Sequence, residues 1–232
     1  NSDISQFANY LSVYPDKGKD DIINGYVAAS FLLSKDYRSA VDALQKIKNP
    51  TDADRSNLQK ASFFRAMQLI ENGGYRSAMP MLEISVANGD GNTNLQNLAK
   101  FWLAECFYRN DQYDKAIGLN SDLLSSDEFT RSGEYASAIL NQGYCCFKSG
   151  DYESAQKFFS DYVNGPYRRK TMLRDAKTRL ADACFMLRNY DEAVLLYEDL
   201  YSSDAAANDV KKAIECIINT KRASTSHFQR KL

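Results

Sequence analysis

The sequence predicts an all-α protein, a right-handed solenoid of antiparallel helix pairs, and three observations carry that expectation. First, a short turn phrase recurs five times. It reads Lys35-Asp36-Tyr37-Arg38-Ser39-Ala40, Gly73-Gly74-Tyr75-Arg76-Ser77-Ala78, Asp111-Gln112-Tyr113-Asp114-Lys115-Ala116, Gly150-Asp151-Tyr152-Glu153-Ser154-Ala155 and Arg188-Asn189-Tyr190-Asp191-Glu192-Ala193. Second, the five tyrosines stand 38, 38, 39 and 38 residues apart, and a fixed period of this size marks a stacked repeat array. Third, small residues hold fixed places around each tyrosine. Alanine follows three residues later, at Ala40, Ala78, Ala116, Ala155 and Ala193, and nine residues earlier stand Ala28, Ala66, Ala104, Gly143 and Ala181. Small side chains at one height on two consecutive helices let their backbones approach closely.

Residues 1–17 have apolar positions at Ile4, Phe7, Tyr10 and Leu11 before a Tyr14-Pro15 stop. They read as the second helix of a repeat whose first helix is missing, so the natural protein is expected to extend upstream. Repeat one is expected over 18–50, where Asn49-Pro50-Thr51-Asp52 breaks the helix pattern, and repeat two over 51–89. Pro80 falls near the start of the second helix of repeat two, where N–H groups are free and a slight kink at most is expected. Repeat three spans 90–127, repeat four 128–166, repeat five 167–203, and 204–232 opens a sixth. Asn164-Gly165-Pro166 is a clean stop for repeat four, and Val210, Ala213, Ile214, Ile217 and Ile218 form the apolar stripe of a further first helix.

The same frame places bulkier residues. Six residues before each tyrosine are Phe31, Leu69, Phe107, Cys146 and Cys184, and seven after are Leu44, Leu82, Phe159 and Tyr197, with Asn120 the exception. This alternation of small and large residues on a helix–turn–helix resembles the tetratricopeptide repeat family over essentially the whole chain. Two features depart from it. The period is about four residues longer than the usual 34, and only Trp102 matches the family's early-helix tryptophan, slightly displaced. The long repeats are similar to those of bacterial cell-envelope tandem-repeat proteins.

Composition bounds the function. The net charge is −1 from 29 basic and 30 acidic residues, which argues against a phosphate-binding surface and so against nucleic acid. No apolar run is long enough to span a membrane. The five cysteines are an odd number with no C-x-x-C pair, and Cys106, Cys145, Cys146 and Cys184 lie in the apolar parts of first helices. They read as small buried hydrophobes without disulfides or zinc. The single histidine, His227, anchors no catalytic triad, and no nucleophile elbow, phosphate loop or metalloprotease pattern is present. Asn88 to Asn94 lacks the spacing of a calcium loop and reads as a solvated turn, as does the basic cluster Arg168, Arg169 and Lys170. No catalytic residue, metal or cofactor is expected.

The family resemblance implies where a partner binds. Its first helices line a concave side, and the residues four, five, eight and twelve before each turn tyrosine are those whose counterparts face it. In repeat three they are Arg109, Tyr108, Glu105 and Phe101; in repeat four Lys148, Phe147, Tyr144 and Leu140; in repeat five Met186, Phe185, Asp182 and Thr178. Aromatic residues among mixed charges suit capture of a peptide or helix. The alternative for Tyr108, Phe147 and Phe185 is packing between neighbouring repeats. The expected function is a non-enzymatic scaffold for a protein or peptide partner. A helical-repeat binder of small molecules or glycans, and the regulatory arm of an enzyme beyond either end, stand as alternatives. Free cysteines suit the cytoplasm, whereas the resemblance points to the cell envelope.

Overall fold

A computed structural model of the chain describes residues 6, 9, 20–89, 92–166, 170–203 and 214–220. All of the lone helix expected at 1–17 but residues 6 and 9, most of the sixth repeat, the basic cluster at 168–169, Asp90 and Gly91 of the polar loop, and His227 lie outside the described residues. Those described contain no strand. Helices α1 (Asp20–Leu33) and α2 (Tyr37–Leu44) form the first pair, α3 (Asp52–Glu71) and α4 (Tyr75–Ala87) the second, and α5 (Thr93–Arg109) and α6 (Tyr113–Leu124) the third. Then come a 3₁₀ turn at Phe129–Arg131, the pair α7 (Tyr135–Ser149) and α8 (Tyr152–Asn164), and the pair α9 (Lys170–Met186) and α10 (Tyr190–Ser203). The chain divides into two compact units, residues 1–132 and 133–232. Within the first unit each helix packs on the next in sequence, and α3 also touches the other two first helices, α1 and α5. Within the second, α7 packs on α8, α8 on α9 and α9 on α10.

The repeated phrase is the turn of every pair, and its geometry repeats to the atom. Two residues before each tyrosine the backbone is left-handed: φ is 59° at Lys35, 75° at Gly73, 58° at Asp111, 88° at Gly150 and 65° at Arg188. The N–H of the next residue then reaches back to the carbonyl five residues earlier. These bonds are Asp36 to Phe31 at 2.9 Å, Gly74 to Leu69 at 2.8 Å, Gln112 to Phe107 at 2.9 Å, Asp151 to Cys146 at 2.9 Å and Asn189 to Cys184 at 2.8 Å. The left-handed residue itself bonds three back, as Arg188 does to Phe185 at 3.0 Å. This pair of bonds is the Schellman closure, which satisfies carbonyls that a helix end otherwise leaves open. Acidic residues then start two of the second helices. Asp36 accepts the Ser39 N–H, and Asp151 accepts the Ser154 N–H, each at 3.1 Å. Hydrogen bonding from Ser154 also holds the Asp151 carboxyl below its ordinary pKa.

Only two of the five left-handed positions are glycine, and a side chain there costs about 1–2 kcal/mol. Arg188→Gly should therefore raise stability by roughly 0.5–1 kcal/mol after the added freedom of the unfolded chain is deducted. Gly150→Val should lower it by a similar or larger amount. Thermal denaturation of the two variants checks both signs, and a loss on Arg188→Gly would contradict the strain argument.

The core follows the small-residue frame. The alanines nine before and three after the tyrosines (Ala28, Ala66, Ala104 and Ala181; Ala40, Ala78, Ala116, Ala155 and Ala193) are all 0% exposed. Ala61, Ala99, Ala138 and Ala176, fourteen before, are equally inaccessible. Between them sit Leu44, Leu82, Phe159 and Tyr197, all buried, with Asn120 fully buried in the same place in repeat three. Gly143 stands where other repeats have alanine because a Cβ there would lie 2.8 Å from the Phe159 ring. Pro80 is accommodated inside α4, which runs unbroken to Ala87. The connection after α6 hides an apolar anchor: Phe129 is 1% exposed at the head of the 3₁₀ turn. In repeat one, the Asp21 carboxylate at the start of α1 takes the backbone N–H groups of Lys48 and Asn49 at 2.9 and 3.0 Å, which lowers its pKa.

Candidate functional site

In the first unit the candidate residues come from α5. Arg109 is exposed, and its Nε donates to Glu105 Oε1 at 2.5 Å while its guanidinium lies 4.5 Å from the centre of the Tyr75 ring. Partial burial works against the charge, but the hydrogen bond and charge of Glu105, with Tyr75 and Tyr108 nearby, outweigh it and raise the Arg109 pKa. Tyr108 is half-buried against the turn tyrosine of its own repeat, Tyr113, at 6.0 Å between centroids. Phe101 meets Trp102 edge-on at 5.6 Å, and both rings are half-buried. The α5 surface is therefore a preorganised cation held by a carboxylate and a ring, beside partly accessible aromatics. Sequence reasoning missed Tyr75 as the platform for Arg109. The signal was available in the frame, since a cation four residues before a turn tyrosine lies one repeat beyond the previous turn.

In the second unit the candidate residues divide. Lys148 and Met186 are exposed, Met186 at 45%. Phe147 packs edge-on against Tyr152 at 5.2 Å, and Phe185 lies 5.7 Å from Tyr190. Phe147, Phe185 and Tyr108 thus lean on the turn tyrosine of their own repeat, an arrangement that the choice between groove and inter-repeat packing did not include. Tyr144 meets Phe159 edge-on at 5.4 Å. Leu140 corrects the sequence expectation: at 4% exposure it belongs to the core and offers no surface. Its position, twelve before the tyrosine, is on a helix whose residues from Ala138 to Gly143 are all buried. Thr178 donates its hydroxyl to the Arg174 carbonyl at 3.0 Å. Asp182 accepts from Arg179 at 2.8 Å and from the Tyr197 hydroxyl, so both its oxygens are engaged within the repeat. Burial and the Asp182 hydrogen bond together push the Tyr197 hydroxyl well above its ordinary pKa.

The four first-helix thiols are held in an unreactive state. Cys106, Cys145, Cys146 and Cys184 are buried and Cys216 is exposed, all with free thiols. Burial raises the pKa of Cys106 to about 12, and of Cys146 and Cys184 to about 11. The thiolate is the reactive form. A disulfide-exchange reagent near pH 8 should therefore modify Cys216 rapidly and the buried four only after unfolding. Fast titration of more than one thiol in the folded protein would contradict this placement. No group of three or more potential metal ligands gathers among the described residues, and no helix among them is long and apolar enough to cross a membrane.

A model of the tetratricopeptide repeat matches residues 65–129. No curated protein matches the chain. Among solved structures the chain is similar to BtubC (BKLC) from P. vanneervenii, at 15% identity and a TM-score of 0.57 over 88% of each chain. It is similar to YrrB, described as a TPR protein with an unusual peptide-binding site, at 12% identity and a TM-score of 0.57 over 90% of this chain and 97% of that one. The apo form of the quorum sensor NprR from B. thuringiensis aligns at 14% identity and a TM-score of 0.54, over 94% of this chain and 64% of that one. At these identities the likeness is one of fold.

Proposed function

From a chain built of tetratricopeptide repeats, we propose a non-catalytic scaffold that holds a protein or peptide partner on the exposed surfaces of its first helices. The observation that carries this reading is the α5 surface. Arg109 is exposed yet fixed by Glu105 and the Tyr75 ring, so little side-chain freedom is lost when it meets a ligand. Tyrosine and arginine are the residues most enriched at binding hot spots. Lys148 and Met186 supply exposed contacts in the second unit. One structure of similar fold is described as having a peptide-binding site, which accords with the class of partner.

The test uses peptides selected from a displayed library on the purified protein, with affinities measured by fluorescence anisotropy. Tyr108→Ala with Arg109→Ala should weaken binding by tenfold or more, as truncating hot spots typically costs about 2 kcal/mol or more. Lys157→Ala, an exposed change on second helix α8, should have little effect. Equal losses from both variants, with helicity unchanged, would remove α5 from the site. Tyr144 is not a suitable probe, because its ring supports Phe159 and its loss would disturb the core.

A further inference from the structure

Sixteen residues before the turn tyrosine, within each first helix, stand Asp21, Gln59 and Asn97 in the first unit and Ala136 and Arg174 in the second. In two consecutive repeats the polar side chain at this place reaches the connection that leads into the next first helix. Asp21 accepts the N–H groups of Lys48 and Asn49 ahead of α3, and Gln59 Nε2 donates to the Asn92 carbonyl at 3.1 Å. Asn92 is the N-cap of α5, and the same carbonyl takes the Gln96 N–H, the first bond of that helix, at 3.0 Å. The corner ties three helices together. The Ser85 hydroxyl of α4 donates to the Gln59 carbonyl at 3.0 Å, and Gln96 Nε2 of α5 donates to the Val86 carbonyl at 2.9 Å. Gln59 is inaccessible, and its Oε1 accepts no hydrogen bond from the described residues. A buried amide paired at one end carries a desolvation cost that an apolar side chain avoids. What it supplies instead is direction, since buried polar links select one arrangement of the elements they join.

We propose, resting on the binding role given to the α5 surface, that Gln59 is a positioning residue for it: by holding the Asn92 carbonyl, Gln59 sets the line along which α5 delivers Arg109 to the Tyr75 ring. Arg109 closes α5 and Tyr75 opens α4, so both stand away from the corner. From Thr93 to Arg109, at about 1.5 Å per residue, is roughly 24 Å. Over that length a tilt of about 5° at the corner moves Arg109 by roughly 2 Å. The guanidinium lies 4.5 Å from the ring centre, and its attraction to the ring fades within about that further distance. Ala78 of α4 and Ala99 and Ala104 of α5, all 0% exposed, let helices approach closely but supply no directional bond. The hydrogen bonds of the corner do. Being inaccessible, Gln59 itself meets no partner, and its effect on binding passes through the place of Arg109.

Side-chain NMR of Arg109 reads this geometry without any partner. Its δ protons should carry the upfield ring-current shift of Tyr75, which Tyr75→Leu abolishes. Gln59→Met, which keeps the length and loses the donor, should reduce that shift. It should also speed hydrogen exchange at the Leu95 amide, which Asn92 Oδ1 holds at 3.1 Å. Gln59→Asn, which draws the amide back by one methylene, should do the same. Ser85→Ala removes the other buried hydrogen bond of Gln59 but not the hold on α5, so both signals should stay as in the unaltered protein. Affinity is read with library peptides whose binding Tyr108→Ala with Arg109→Ala weakens. Gln59→Met and Gln59→Asn should weaken these roughly three- to tenfold, within the range of substitutions that touch no ligand, and Ser85→Ala should not. An unmoved Arg109 shift in both Gln59 variants, a Ser85→Ala effect of equal size, or a moved shift with unchanged affinity would each overturn the proposal. Failure of the binding role of α5 looks different. No selected peptide then responds to the Tyr108 and Arg109 changes, while the Arg109 shift still decides whether Gln59 positions that side chain.

Discussion

Phe159→Ala should lower the stability of the second unit by about 3–5 kcal/mol, the cost of emptying a ring-sized volume in a closed core. Phe159 is fully buried, packs edge-on against Tyr144, and its ring occupies the space left by the absent side chain of Gly143. The reciprocal change is as informative. Alanine in place of glycine in a helix interior normally stabilises by up to about 1 kcal/mol. Gly143→Ala should instead destabilise, by roughly 1–3 kcal/mol, because its Cβ would sit 2.8 Å from a fully buried ring. Repeats one and two satisfy the same pair of positions with Ala28 and Leu44, and with Ala66 and Leu82. Gly143→Ala with Phe159→Leu reproduces that solution, so the double variant should be more stable than the sum of the single changes by about 0.5–3 kcal/mol. Denaturant titration of the four-protein cycle measures this coupling, and simple additivity would show that the two positions are not in contact.

Ala104→Leu should cost the first unit about 1–3 kcal/mol by overpacking. Ala104 is inaccessible on α5, which packs on both α4 and α6, so an isobutyl group must displace a helix rather than a side chain. Ala116→Leu, on the facing helix α6, should behave alike for the same reason. Both should lower the melting temperature with little change in helical content at low temperature, since the individual helices remain favourable. An unchanged melting temperature for either would show that the backbones of α5 and α6 do not approach closely there.

Much of this architecture was legible because the constraint repeats. A residue such as Ala116 has no helix-specific signal by itself, but five alanines at one offset from five tyrosines record the same close approach. Positions that obey local rules were readable for the same reason: the breakers between pairs and the buried setting of the first-helix cysteines. The candidate surface was less legible. Leu140 and Lys148 occupy related offsets on one helix, yet one is core and the other solvent, and only the neighbours of α7 separate them. Asp182 reads as a groove carboxylate until Arg179 and the Tyr197 hydroxyl are seen to take both its oxygens. The anchoring of Phe129 inside a polar connection had no periodic signal at all.

By itself, then, the sequence determined the helix pairs, the place of each turn and the identity of the small residues that set helix separation, because each of these depends on spacing along one chain. It could not determine that the left-handed turn position falls on Lys35, Asp111 and Arg188 as readily as on glycine. There the closing hydrogen bonds and the packing of the flanking helices outweigh a strain of about 1–2 kcal/mol. It could not determine which first-helix side chains remain exposed either. Exposure is set by what the adjacent helices cover, and so Tyr75 came to support Arg109, and the rings of Tyr108, Phe147 and Phe185 came to lean on their own turn tyrosines, only once the helices had packed.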